Sequence, residues 1–256
     1  MAGACNDTRM DFRPRELKYD SHGVPYLRTR RIEEIATELL GQHCEHVLRR
    51  ASRTLVMDIL EKLKDRTHLQ YRCADLGFVA DKKVLGKVNF PSKTLHLDPS
   101  LFDGRKVQFR FTAAHEIGHW VLHRYRPLRF TNKEPVQEVV DDEDSICRLE
   151  SIGPRDWVER QANTFAAALV LPSATFHEEM VSAQKQIGIL KNFGVVFVNS
   201  KNYAKSDLIK LFALLAATYG VSKASVEVRL RTLKFMIDED AKPGKSVAEI
   251  MKGQLG

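Results

Sequence analysis

Residues 109–123 read FRFTAAHEIGHWVLH, an apolar stretch with two histidines four residues apart and a glutamate directly after the first. On a helix, positions i and i+4 share one face with Cβ atoms about 5–6 Å apart, so His115 and His119 can both reach one zinc ion. Glu116 is rotated around the helix from that pair. Its carboxylate can approach a water on the metal rather than the metal itself, which is where a general base belongs. The flanking Phe111, Ala114, Ile117, Gly118, Val121 and Leu122 make the helix apolar enough to be buried. Two buried imidazoles and a carboxylate need partners, and a metal ion with its water supplies them. The plain alternative is two histidines that merely share a helix.

A catalytic zinc usually takes three protein ligands and keeps a fourth position for water. No third motif histidine follows, because the chain continues Trp120-Val-Leu-His123-Arg-Tyr125. The third ligand must come from a later element. Glu159 is the expected one, the single carboxylate in the first turns of the apolar helical stretch VERQANTFAAAL, residues 158–169. Asp142, Glu143 and His177 are rivals in loop-like or strongly polar surroundings. Asn163 lies one turn beyond Glu159 on the same face, where it can orient a ligand or simply pack. His123 and Tyr125 are candidates for a second oxyanion donor, with support or packing the weightier reading, and neither joins the catalytic set.

Outward from the motif, residues 1–27 lack periodicity and read as a flexible arm, either a tail or a loosely docked segment that could cover a groove. Helical spacing begins at Arg30, with Ile32, Ile35, Ala36, Leu39 and Leu40 on one face and Gly41 as a stop or kink. A second helix carries Leu55, Ile59, Leu60 and Leu63. Between Leu69 and Leu97 the period shifts toward two, giving three short strands at 76–80, 83–88 and 93–97. The strand near Thr94–Leu97 is the one expected to offer an edge to an extended peptide, with His96 on its surface. Helical spacing returns over Phe109–His123 and Trp157–Leu171. The segment 124–156 between them, with its acidic run Asp141–Asp144, reads as a surface loop. His43 and His46 could hold a second metal, but a solvated helix end is the simpler reading.

The 256 residues are 43% hydrophobic and 29% charged, which suits one large or two small domains with a real core and excludes disorder throughout. No apolar run approaches the roughly 20 residues of a membrane span, and the first residues offer no export signal, so a cytoplasmic location without membrane contact is expected. Cys5, Cys44, Cys73 and Cys147 form no C-x-x-C pair and read as reduced thiols. The net charge of +7 mildly favours acidic partners, DNA among them.

Residues 212–233, FALLAATYGVSKASVEVRLRTL, place Ala216, Gly220 and Val226 where a helix-turn-helix wants a small residue, a turn glycine and an apolar residue. Ser222 can cap the second helix. Lys223, Ser225, Arg229 and Arg231 could face DNA, with Glu227 among them; a helical hairpin packed on the rest of the chain is the bland reading.

The stretches RFTAAHEIGHWVLH and ERQANTFAAALVLP together resemble the ImmA/IrrE family of zinc metallo-endopeptidases, whose pattern is H-E-x-G-H followed by E-x-x-A-N-x-F-A-x-x-L-L-x-P. The order of elements from about residue 28 to 235 is similar as well. Residues 241–256 read as a polar tail; the resemblance implies an α+β, zincin-like metallopeptidase fold over 28–200 and supports a helix-turn-helix-like module over 201–240. It further implies one catalytic zinc held by His115, His119 and Glu159, with Glu116 catalytic, and a helix-turn-helix transcriptional repressor as the protein substrate. The long 124–156 segment and an insertion after Pro172 depart from the family pattern and bear on substrate choice. A DNA-binding regulator with a structural or vestigial metal site is the rival reading; a protein-binding scaffold is a third.

Overall fold

The computed structural model describes residues 17–79, 81–103, 106–125, 128, 138–142, 154–198 and 205–238. Most of the expected arm, Glu143 with the end of the acidic run, and the polar tail lie outside the described residues.

Helix α1 (Thr29–His43) buries Ile32, Ile35, Ala36, Leu39 and Leu40, and runs through Gly41 instead of stopping there. A single turn, α2 (His46–Arg49), leads to α3 (Val56–Thr67). There Val56, Ile59, Leu60 and Leu63 face inward, while Leu55 precedes the first turn and is exposed. The apolar stripe therefore begins one residue later than the spacing suggests.

The main sheet contains β1 (Gln70–Cys73), β2 (Phe78–Val79), β3 (Lys82–Asn89), β4 (Thr94–Leu97) and β5 (Glu138–Asp142). β4 lies between β1, to which it is parallel, and β3, to which it is antiparallel. It is an interior strand, which corrects the expectation that Thr94–Leu97 offers an edge. The partner responsible, β1, is short and largely exposed, so its sequence carries no alternating apolar signal. On its other side β3 pairs antiparallel with β2 and then with β5. β5 lies inside the segment expected to be a loop. Its pairing with β3 spans some fifty residues, and such long-range ladders override the poor strand propensity of Asp and Glu.

α4 (Lys106–His123) runs beneath β3 and β4 and packs along α5 (Pro154–Val170). Every residue from Phe111 to His123 is buried, because the sheet covers one side of α4 and helices cover the others. α5 ends before Leu171-Pro172, and a further helix, α6 (Ser173–Gln186), starts at once. The proline that closes one helix thus stands at the cap of the next, where it lacks nothing by having no N–H.

A two-stranded parallel sheet, β6 (Val196–Val198) with β7 (Met236–Asp238), brackets α7 (Lys205–Tyr219) and α8 (Lys223–Thr232). The two helices meet at 99° around Gly220, whose φ of 66° suits glycine. Ser222 caps α8, its Oγ accepting from the Ser225 N–H at 3.0 Å. Leu211, Leu215, Val226 and Leu230 from this pair belong to the same hydrophobic cluster as Phe111, Ile117 and Phe165. Arg229, expected among the residues facing DNA, points inward instead. It is fully buried, its Nε donates to the Leu171 carbonyl at 2.9 Å, and its two terminal nitrogens donate to the two oxygens of Glu33 on α1. Arg231 stays outside and pairs with Glu227.

Residues 17–27 follow the docked of the two readings of the arm. Tyr19 and Pro25 form an isolated bridge, and Val24 is buried against Leu128 and Val158 of α5. This docking brings the Pro25 carbonyl to α5, where the site makes use of it.

Candidate metal centre

The site lies between α4 and α5. The helices approach closely at Gly118, where an added Cβ would stand 3.1 Å from the Phe165 ring and 3.2 Å from the Ala162 backbone. The glycine inside the His-Glu-Ile-Gly-His motif thereby sets the spacing that brings Glu159 and Asn163 of α5 over the histidines. His115, Glu116 and His119 are fully buried, and Glu159 is 9% exposed.

His115 Nε2 and His119 Nε2 are 2.9 Å apart. Glu159 Oε2 lies 3.3 Å from the first and 3.5 Å from the second. Ligand atoms held at about 2.0–2.2 Å by a four-coordinate ion stand roughly 3.3–3.5 Å from one another, which the two distances to Glu159 match, while the two imidazole nitrogens stand somewhat closer together at 2.9 Å. Among the described residues this is the one group of three His, Cys, Asp or Glu ligand atoms that converge within 4.8 Å. Of the rival third ligands, His177 is on α6 with its ring against Phe235, and Asp142 belongs to β5. His46 sits beside Cys44 and gathers no third ligand among the described residues.

The hydrogen bonds on the far side of each ring indicate which nitrogen faces the ligand position. Gln161 Nε2 donates to the Pro25 carbonyl at 2.7 Å, and because that oxygen can only accept, Gln161 Oε1 must be the atom facing His123. His123 Nε2–H donates to it at 3.0 Å, so Nδ1 of a neutral His123 is an acceptor. His119 Nδ1–H donates to that nitrogen at 3.2 Å. His115 Nδ1–H donates to Asn163 Oδ1 at 2.9 Å. Both Nε2 lone pairs are then directed at the Glu159 carboxylate, an arrangement that repels unless a cation stands between. Neither Glu159 oxygen accepts a hydrogen bond from a described residue. The donor set therefore fits a divalent ion on chemistry as well as on size.

His123, weighed as an oxyanion donor, has both ring nitrogens committed to this chain and supports His119. The Tyr125 hydroxyl accepts from the Arg124 guanidinium. Gln161 was missed by sequence reasoning; the available signal was an amide on a helix that is otherwise apolar along the same face. Glu116 projects from α4 toward β3 at Gly86 and does not join the three ligands.

A centre of two histidines and a glutamate, with a second glutamate beside the first histidine, on helices under a small sheet, defines a zincin-like metallopeptidase fold. The IrrE N-terminal-like domain, a peptidase family, matches residues 79–231, and the chain belongs to it. That span holds both motif helices and extends through α7 into α8. No curated protein gives a significant match. Among the described residues no single helix is long and apolar enough to cross a membrane.

Proposed function

We propose that the protein is a zinc-dependent endopeptidase of the cytoplasm that cleaves a helix-turn-helix transcriptional repressor. The observation that carries the hydrolytic part is the convergence of His115 Nε2 and His119 Nε2, on the helix that also carries the buried Glu116, with Glu159 Oε2 on its neighbour α5. The repressor as substrate rests on the family resemblance and on no contact in this chain.

His115, His119 and Glu159 would hold the ion. When bound, zinc supplies a lowered pKa for a coordinated water and polarisation of the scissile carbonyl. Glu116 accepts the proton of the attacking water and later passes it to the departing amine, so the same carboxylate serves first as base and then as acid. Burial suits Glu116 to this role, because a carboxylate removed from bulk water exchanges protons with the reacting groups and little else. Asn163 and the His123–Gln161–Pro25 chain hold the two imidazoles so that binding the ion costs little reorganisation.

The test is incubation of the purified protein with candidate repressors, with and without a chelator, beside the Glu116→Gln variant. The expected outcome is chelator-sensitive cleavage by the parent and none by the variant, at equal zinc content. Cleavage by Glu116→Gln at the parent rate would overturn the assignment. Sequence-independent survival of every repressor tested with zinc-loaded parent would overturn the substrate.

A further inference from the structure

Glu116 and β3 meet at one residue. An ideal Cβ built on Gly86 would lie 2.9 Å from Glu116 Cγ, 2.7 Å from Cδ and closer still to Oε1. Real Cβ atoms do not approach other heavy atoms to such distances, so the outer half of the Glu116 side chain fills the space that any other residue at 86 would need. Glu116 has little freedom to yield, since it is fully buried and its helix is packed on every side.

The strand is irregular at the same place. Val84 pairs with Asp142 and Gly86 with Asp141, so Leu85 is an extra residue on β3 opposite β5, a bulge that re-aims the backbone where it passes over Glu116. Gly86 also pairs with Leu97 on the interior side, which fixes the strand against sliding away. Glycine weakens a strand interior, and a bulge breaks its ladder. The glycine is the residue that faces the base, and the bulge at Leu85 adjoins it.

We infer that Gly86 is a positioning residue for the hydrolysis: its missing side chain forms the slot that holds the Glu116 carboxylate in place. The inference rests on the role given to Glu116 under the proposed function. It adds that β3, and not α4 alone, sets the direction of that carboxylate. Gly86→Ala would push the carboxylate out of the slot while leaving His115, His119 and Glu159 where they are.

The experiment is a double-mutant cycle on metal-free protein, combined with kinetics on zinc-loaded protein. Gly86→Ala should lower Tm by roughly 3–10 °C in the parent, the scale of an overpacked core methyl in a chain of this size. In a Glu116→Ala background the same change should cost nothing or raise Tm slightly, because the slot is empty and alanine suits a strand better than glycine. Equal Tm losses in the two backgrounds would overturn the inference. With zinc, Gly86→Ala should still bind one ion per chain with affinity within about 3-fold of the parent. Its kcat should fall roughly 100-fold with KM little changed, the effect of an ångström-scale misplacement of a reacting group. Cleavage by Gly86→Ala within about 3-fold of the parent would also overturn it. Failure of the parent to cleave any substrate would count against the proposed function alone, since the stability cycle needs no substrate.

Discussion

Replacing Arg229 with alanine tests how the C-terminal helix pair is joined to the rest of the chain. The guanidinium is fully buried, and its partner Glu33 has a side chain only 16% exposed. One nitrogen donates to the Leu171 carbonyl at 2.9 Å and another to Glu33 Oε2 at 2.9 Å, so three elements meet on a single side chain: α1, the α5–α6 junction and α8. Removing the cation leaves a largely buried carboxylate and a buried carbonyl without their charged donor. Breaking such a pair from one side costs about 3–5 kcal/mol. For a domain of this size each kcal/mol moves Tm by about 2–4 °C, so Arg229→Ala should melt roughly 6–20 °C below the parent. Replacing both partners, as Arg229→Met with Glu33→Leu, should recover most of that loss, because the apolar pair leaves no orphaned charge. Thermal melts of metal-free protein followed by far-UV circular dichroism read both. A drop of less than about 3 °C for Arg229→Ala would mean that α8 does not depend on this anchor and stands free, as a DNA-reading helix would.

Three further outcomes follow from the structure. Gln161→Leu removes the acceptor that orients His123 and through it His119, so zinc affinity, read by competition with a chromophoric chelator, should weaken 10–100-fold; a change within about 3-fold would contradict the relay. Asp98 is buried, which pushes its carboxyl up, but donors from Ser100, Leu76 and Lys83 outweigh burial and hold it at about 2. A depressed pKa gives stability that is present above the unfolded value and is lost as pH falls toward the folded one, so Asp98→Asn should cost about 2 kcal/mol at pH 7 and about half of that at pH 3. Urea midpoints at the two pH values check this, and a gap that does not narrow would contradict it. Thr67 accepts from the Trp120 indole at 2.9 Å, tying α3 to the motif helix, and Thr67→Val should cost about 1 kcal/mol without altering zinc content.

The convergence of His115, His119 and Glu159 was legible because its signal is local. The i, i+4 spacing of His115 and His119 needs only a helix, and Glu159 stands out as one carboxylate on an apolar helix face. The helical stripe of α1 was legible for the same reason. What escaped depends on through-space partners. β1 is exposed and unpatterned, and β5 is acidic, so each exists as a strand only through a neighbour distant in sequence. The interior place of β4 follows from β1 and was hidden with it. Arg229 reads as a surface cation until Glu33, 196 positions away, is seen to face it. The relay behind His119 reaches 136 positions, from Gln161 back to Pro25, in a stretch whose composition suggested a loose arm. The slot at Gly86 likewise has no sequence mark beyond a glycine in a strand.

The proposed function requires His115, His119 and Glu159 to grip one metal ion. Zinc K-edge absorption, with elemental analysis, on protein purified and dialysed without chelator tests it most directly. The expected result is one zinc per chain, coordinated by two imidazole nitrogens and carboxylate oxygen, and its loss on dialysis in Glu159→Ala. A parent that takes up no zinc, or a Glu159→Ala variant that keeps a full equivalent, would contradict it.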